Sequence, residues 1–169
     1  AEIEEVRLIG GKTSSARTAE QSEISRYWYE SSPQGWNRIA RVVAADRGLD
    51  EWESARLMAL VNFAMADGFI GGFEAKYHYN YWRPVTAIQT ADTDGNPNTS
   101  ADPPWTPLVP TPPIPDYDSA HSVEGGAAAA VLKRFFGTDR IRFRTCSLTL
   151  PPGNSCNDAT PVLRRYNSF

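Results

Sequence analysis

Asp50-Glu-Trp-Glu-Ser-Ala-Arg-Leu57-Met-Ala-Leu-Val-Asn-Phe-Ala-Met-Ala-Asp-Gly-Phe-Ile70 decides the fold class. An aspartate with a glutamate three residues on has the form of a capping box, which satisfies the free N–H groups of a helix start. Leu57, Leu60, Val61, Ala64 and Ile70 then return at intervals of a helical turn. The stretch predicts a helix from Glu51 to about Tyr77, with Gly71-Gly72 its weakest point. Upstream, Thr18-Ala-Glu-Gln21 is a second capping box, and Ile24, Tyr27 and Trp28 follow at helical spacing. That predicts a helix from about Thr18 to Glu30. Pro33 and Gly35 break it, and Trp36, Ile39, Ala40, Val43 and Ala44 define another helix that Gly48 stops. Downstream, Pro84 suits the first turn of a short helix running to about Thr90. Residues 91–118 lose all periodicity and hold most of the thirteen prolines, as functional or unstructured loops do. Ser119 to Phe136 is an alanine-rich helix that Gly137 ends. Arg140 to Thr145 alternates with period two, as a short strand or extended piece would. The expected fold is mainly α, a helical bundle with a long proline-rich loop at about 91–118.

Composition narrows the class. A chain of 169 residues, 41% hydrophobic and 22% charged, suits one globular domain and excludes disorder and fibres. The net charge of -3, without a basic run, makes nucleic acid an unexpected partner. The most apolar segment, Leu57 to Phe73, is interrupted by Asn62, Asp67 and glycines, so no membrane span is expected. The acidic start, Ala1-Glu-Ile-Glu-Glu5, lacks the pattern of a signal peptide. Cys146 and Cys156 sit in one Pro/Gly-punctuated segment and are expected to pair, which points to an oxidising compartment, secreted or periplasmic. The final Arg164-Arg-Tyr-Asn-Ser-Phe169 reads as interrupted, so residues 1–169 are expected to form a single, incomplete domain.

Two constellations carry chemistry. Lys76 and Arg83 are seven residues apart, nearly two turns on a continuous helix, which would place both cations on one face as an oxyanion clamp. The aromatic residues between them would lower the local dielectric. On spacing alone, a solvated lysine and an arginine paired with surface carboxylates is the favoured reading. The second constellation is Pro115-Asp-Tyr-Asp-Ser119-Ala-His121-Ser122, at the turn from loop to helix. A helix start offers free N–H groups and a positive dipole end to an anion. Ser119 would cap it and donate its hydroxyl, Ala120 would admit a close backbone approach, and His121 would serve as general acid. Plain capping by Ser119 with a half-exposed histidine is the bland alternative. No metal site is expected: Asp92, Asp94 and Asn96 alternate like a calcium loop, but Gly95 and Pro103 fall where that loop cannot use them.

Taken together, Lys-x6-Arg-Pro at 76–84 and Ser-x-His at 119–121 resemble the superfamily of vanadium-dependent haloperoxidases and type 2 phosphatidic acid phosphatases. The text Ala75-Lys-Tyr-His-Tyr-Asn-Tyr-Trp-Arg-Pro-Val-Thr-Ala-Ile88 looks like its bacterial haloperoxidase-like branch. The resemblance implies a helical bundle of the haloperoxidase/acid phosphatase type. It implies that Lys76, Arg83, Ser119 and the backbone of Ala120 bind vanadate or the isosteric phosphate, with His121 the acid-base residue. The implied reaction partners are halide and peroxide, or a phosphoester in the phosphatase alternative; a third reading is a non-catalytic anion-binding relative. Asp118 and Ala120 stand where the family has proline and glycine. The family's third motif, Ser-Arg-x5-His-x3-Asp, is absent, since the only histidines are His78 and His121. The expected chain is therefore an inactive part of such an enzyme, completed by a C-terminal segment or a second copy.

Overall fold

The computed structural model describes residues 2–169, and the chain divides into two compact units. One unit comprises the residues through Arg26 together with Ala75–Tyr117, and the other Tyr27–Glu74 together with Asp118–Phe169. The elements are α1 (Glu2–Gly10), α2 (Ala19–Tyr27), α3 (Ser32–Asp46), α4 (Glu51–Tyr79), α5 (Pro84–Gln89), α6 (Ala120–Phe136), β1 (Phe143–Thr145) and β2 (Arg164–Tyr166). The mainly helical architecture agrees with the expectation from periodicity.

The bundle unit holds α3, most of α4, α6 and the two strands. The expected capping-box start of α4 is real. Asp50 Oδ1 accepts from the Glu53 N–H at 2.8 Å, while Glu53 Oε2 accepts from the Asp50 N–H at 3.1 Å. Pro33 and Gly35 do not precede α3 but lie within its first turn, where a proline's missing N–H costs nothing. Ile39, Ala40 and Val43 of α3, Leu57, Val61 and Met65 of α4, and Ala128 and Leu132 of α6 form one core with Ile141 and Phe143. Each fully buried Leu or Val contributes about 1.5–3 kcal/mol. Gly71 and Gly72 leave α4 unbroken. A Cβ at Gly68 would come within 3.2 Å of Val123, so that glycine lets α6 approach closely. The other side of α4 is also apolar, with Phe63 and Ile70 70% and 66% exposed. By length and composition alone, the helical stretch Glu51–Gln89 is long and apolar enough to cross a membrane.

The alternating segment becomes β1, whose Phe143 and Thr145 point inward and Arg144 outward. Its antiparallel partner β2, which the sequence pattern does not announce, sets Phe143 opposite Tyr166 and Thr145 opposite Arg164. The rings of Phe143 and Tyr166 stack at 5.2 Å. Cys146 and Cys156 form the expected disulfide, with Cα atoms 5.3 Å apart.

The other unit packs α1 and α5 around the proline-rich segment. The α1 helix is a finding that the sequence pattern does not predict. The capping box at its neighbour α2 forms as expected, Thr18 and Gln21 exchanging bonds of 2.8 and 3.1 Å. That helix stops at Tyr27, short of the expected Glu30. The loop is ordered by specific bonds rather than by regular structure. Trp105 Nε1 donates to the Arg7 carbonyl at 2.9 Å, Leu108 N to Gly10 O at 3.0 Å, and Gln89 Nε2 to Trp105 O at 2.8 Å. Its prolines lack the donors a ladder needs, so side chains and isolated backbone contacts substitute.

Candidate functional site

Lys76 and Arg83 do not share a helix. Asn80 adopts φ 49°, a left-handed conformation that asparagine tolerates, and ends α4. The chain is then extended to Arg83, as a residue before proline prefers, and Pro84 opens α5. The two cations nonetheless meet, because both reach the end of the proline-rich loop. Lys76, only 2% exposed, donates its ammonium to the carbonyls of Pro115 at 3.1 Å and Asp116 at 2.5 Å. Arg83 donates Nε to Ile114 O at 2.7 Å and a terminal N–H to the Asp116 carboxylate at 3.1 Å. A backbone bond of 3.0 Å from Asp116 N to Tyr81 O fixes the same segment. Both clamp residues therefore face oxygen, and Arg83 already holds an anionic one.

The expected aromatic wall is present in this unit. Tyr79, Tyr81 and Tyr117 pack edge-on or stacked, with centroids 5.6–6.3 Å apart. With Trp82, Pro84 and Asp116 they line an open cleft of about 610 Å³. His78 packs edge-on to Tyr79 at 4.9 Å. Asp94 Oδ1 accepts from Asn96 N at 2.7 Å, so the stretch is a turn that follows a short 3-10 helix over Ala91–Thr93.

Ser119, Ala120 and His121 belong to the bundle unit. Ser119 is the N-cap of α6, its Oγ accepting from Ser122 N at 3.3 Å. Its hydroxyl hydrogen is a further donor at the positive end of a 17-residue helix. Ala120 is the first helical residue. Asp118 does not point away into solvent. Its carboxylate lies against Gly72, where a Cβ would come within 3.4 Å of Oδ1, and that oxygen is buried. Gly72, read from sequence as a weak point, is the residue that leaves room for this carboxylate.

His121 places Nε2 2.9 Å from the Glu30 carbonyl. A carbonyl only accepts, so Nε2 carries a hydrogen and Nδ1 is the nitrogen that can take one up. Glu30 is a residue that sequence reasoning missed. It is 7% exposed, and its carboxylate takes both terminal nitrogens of Arg38 and the Leu148 N–H at 3.1 Å. Arg38 also donates to Cys146 O at 2.7 Å. Only its place at the expected end of α2 marked Glu30 out, and the helix itself stops at Tyr27. His121, Glu30 and Arg38 line one cleft of about 320 Å³ within the bundle unit, with Trp28 and Trp36. Nearby, burial pushes the Tyr27 phenol above its ordinary pKa.

Three comparisons bear on this geometry. Residues 56–169 match the family model of the VCPO second helical-bundle domain. The vanadium chloroperoxidase of Curvularia inaequalis is 30% identical over 149 residues, covering 73% of this chain and 24% of that protein. A crystal structure of a bacterial vanadium-dependent iodoperoxidase matches with a TM-score of 0.70 and 28% identity, over 89% of this chain and 34% of that one. The chain thus spans about a quarter of the curated relative's length and a third of the structural one's.

Proposed function

The chain belongs to the vanadium haloperoxidase superfamily through the VCPO second helical-bundle domain, and from that premise we propose that it is the oxyanion-binding part of a haloperoxidase. Lys76, Arg83, Ser119 and the backbone N–H of Ala120 are the proposed ligands of vanadate or phosphate, and His121 the acid-base residue. The observation that carries the reading is Arg83 on the Asp116 carboxylate. The guanidinium already binds an anionic oxygen of this chain, beside a buried lysine directed to the same three-residue segment. The donors present suit an acceptor-only tetrahedral anion.

Bound vanadate would supply the chemistry by which peroxide oxidises halide. What these residues contribute is charge neutralisation by Lys76 and Arg83, hydroxyl and helix-end donors from Ser119 and Ala120, and proton exchange at His121 Nδ1. The third-motif histidine has no counterpart among these 169 residues. The proposed behaviour of the chain by itself is therefore weak anion binding without turnover. The Cys146–Cys156 disulfide supports a secreted or periplasmic location.

Calorimetric titration with vanadate and with phosphate tests the reading. Arg83→Ala should abolish the weak binding. Halide oxidation with vanadate and peroxide, and hydrolysis of an activated phosphoester, should both stay at the level of a His121→Ala control. Turnover well above that control would overturn it.

A further inference from the structure

The cleft beside His121 has a chemistry of its own. It lies wholly within the bundle unit, holds about 320 Å³ and is walled by Trp28, Trp36 and Ile39, with Ser32 and Ser122 among its polar lining. That volume is at the small end of ligand pockets, enough for a molecule of one or two rings. Trp36 is seated against α6 because residue 125 is glycine: a Cβ there would come within 3.2 Å of its indole nitrogen. Trp28 remains 42% exposed, a large apolar face on the rim of a concave site.

Two further observations define what such a site would take. First, its charges are already balanced. Both Glu30 carboxylate oxygens are taken by Arg38, and one also by Leu148 N. With His121 neutral, an ionic ligand would find no spare counter-charge and would lose its hydration. Second, Ser32 is 6% exposed, and its Oγ is buried with no hydrogen-bond partner. An orphaned buried hydroxyl is unfavourable by about 1–3 kcal/mol. Ser32 is among the residues that line the cleft, and a rotation about its Cα–Cβ bond is the movement that would have to bring the hydroxyl to a ligand there.

We propose that this cleft is a binding site for a small, planar, uncharged aromatic molecule bearing one hydroxyl or carbonyl group, stacked on Trp28 and Trp36 and hydrogen-bonded to Ser32. The apolar rings supply most of the affinity, and the serine selects the polar substituent. The proposal does not rest on the oxyanion reading, and loss of anion binding in Arg83→Ala leaves it standing.

The test is an NMR titration of the 15N-labelled 169-residue chain with 2-naphthol, without vanadate, reading the indole N–H signals of Trp28 and Trp36. The expected result is saturable binding that shifts both signals. It should weaken roughly threefold to tenfold in Ser32→Ala, the worth of one neutral hydrogen bond, and vanish in Ser122→Phe, which fills the rim. 2-Naphthoate, with the same rings and a carboxylate, should bind at least roughly tenfold more weakly. Ser32→Ala should melt no lower than the parent, because it removes an orphaned group, so its weaker binding cannot come from unfolding. Absence of saturable binding, unshifted indole signals, full affinity in Ser32→Ala, or equal affinity for 2-naphthoate would each overturn the proposal.

Discussion

Replacing Glu30 by alanine should destabilise the bundle unit more than a single polar substitution usually does. The carboxylate is 7% exposed and Arg38 17%, so the pair is largely removed from water. Deleting Glu30 leaves the guanidinium with the Cys146 carbonyl as its remaining partner at that spot and takes the acceptor from Leu148 N. Breaking a buried pair from one side costs about 3–5 kcal/mol; the retained carbonyl contact and partial exposure of Arg38 place the expectation near the lower end, about 3 kcal/mol. With a urea slope of roughly 1–3 kcal/mol per molar, the unfolding midpoint should fall by about 1–3 M. Arg38→Met should cost at least as much, because it leaves the less exposed member of the pair, the Glu30 carboxylate, with only Leu148 N as its partner at that spot. The double variant should recover part of the loss, giving a coupling of about 1–3 kcal/mol. The contact of His121 with Glu30 uses the main-chain carbonyl, so the Nε2–H tautomer should persist in the folded fraction of Glu30→Ala. A loss below about 1 kcal/mol with no coupling would refute the account of this pair as a buried, mutually dependent unit.

Asp116→Asn should tighten phosphate and vanadate binding by roughly twofold to fivefold in calorimetry, because it removes a half-exposed competitor for Arg83; unchanged or weaker binding would argue that the aspartate holds the arginine in its working position. Thiol titration of the folded chain should find no free cysteine, and reduction of the Cys146–Cys156 bond should lower stability by about 3 kcal/mol in chemical denaturation. Leu132→Ala, at a fully buried α6 position, should cost about 2–5 kcal/mol in the same assay. Lys133 holds the Asp139 carboxyl below its ordinary value of 3.8. The contribution of this pair is thus fully present above that value and lost as pH falls through the lowered one. NMR titration should show Asp139 returning towards the ordinary range in Lys133→Met.

Local features were legible because their physics is local. The reciprocal caps at Thr18/Gln21 and Asp50/Glu53, the Ser119 cap and the left-handed Gly137 that closes α6 each involve residues within one turn. The α3 stripe follows from helical period alone and the cysteine pair from a short, turn-rich separation, whereas in α4 the period grouped Ile70 with Leu57 and Val61 although Ile70 is 66% exposed. The chain also displayed its candidate site residues: Lys76, Arg83, Ser119 and His121 stand out by the joint spacing that carries the family resemblance.

What each of them touches was decided by tertiary structure. Nothing in the sequence says that Lys76 and Arg83 meet the carbonyls and carboxylate of residues 114–116, because that contact joins segments more than thirty residues apart. The same holds for β2, a three-residue strand too short to show a period, which is defined by its pairing with β1 across the chain, Tyr166 against Phe143. Gly71-Gly72 looked like a break by propensity, yet α4 runs through it, since packing of its buried face outweighs about 1 kcal/mol per glycine. Glu30 shows the limit most plainly. A glutamate after a helix end has no special signal, and only the fold gives it Arg38, Leu148 and, through its carbonyl, the candidate acid-base histidine. Periodicity and capping are fixed by neighbours in the chain, whereas partners for buried charge are fixed by whichever distant segments the core brings together.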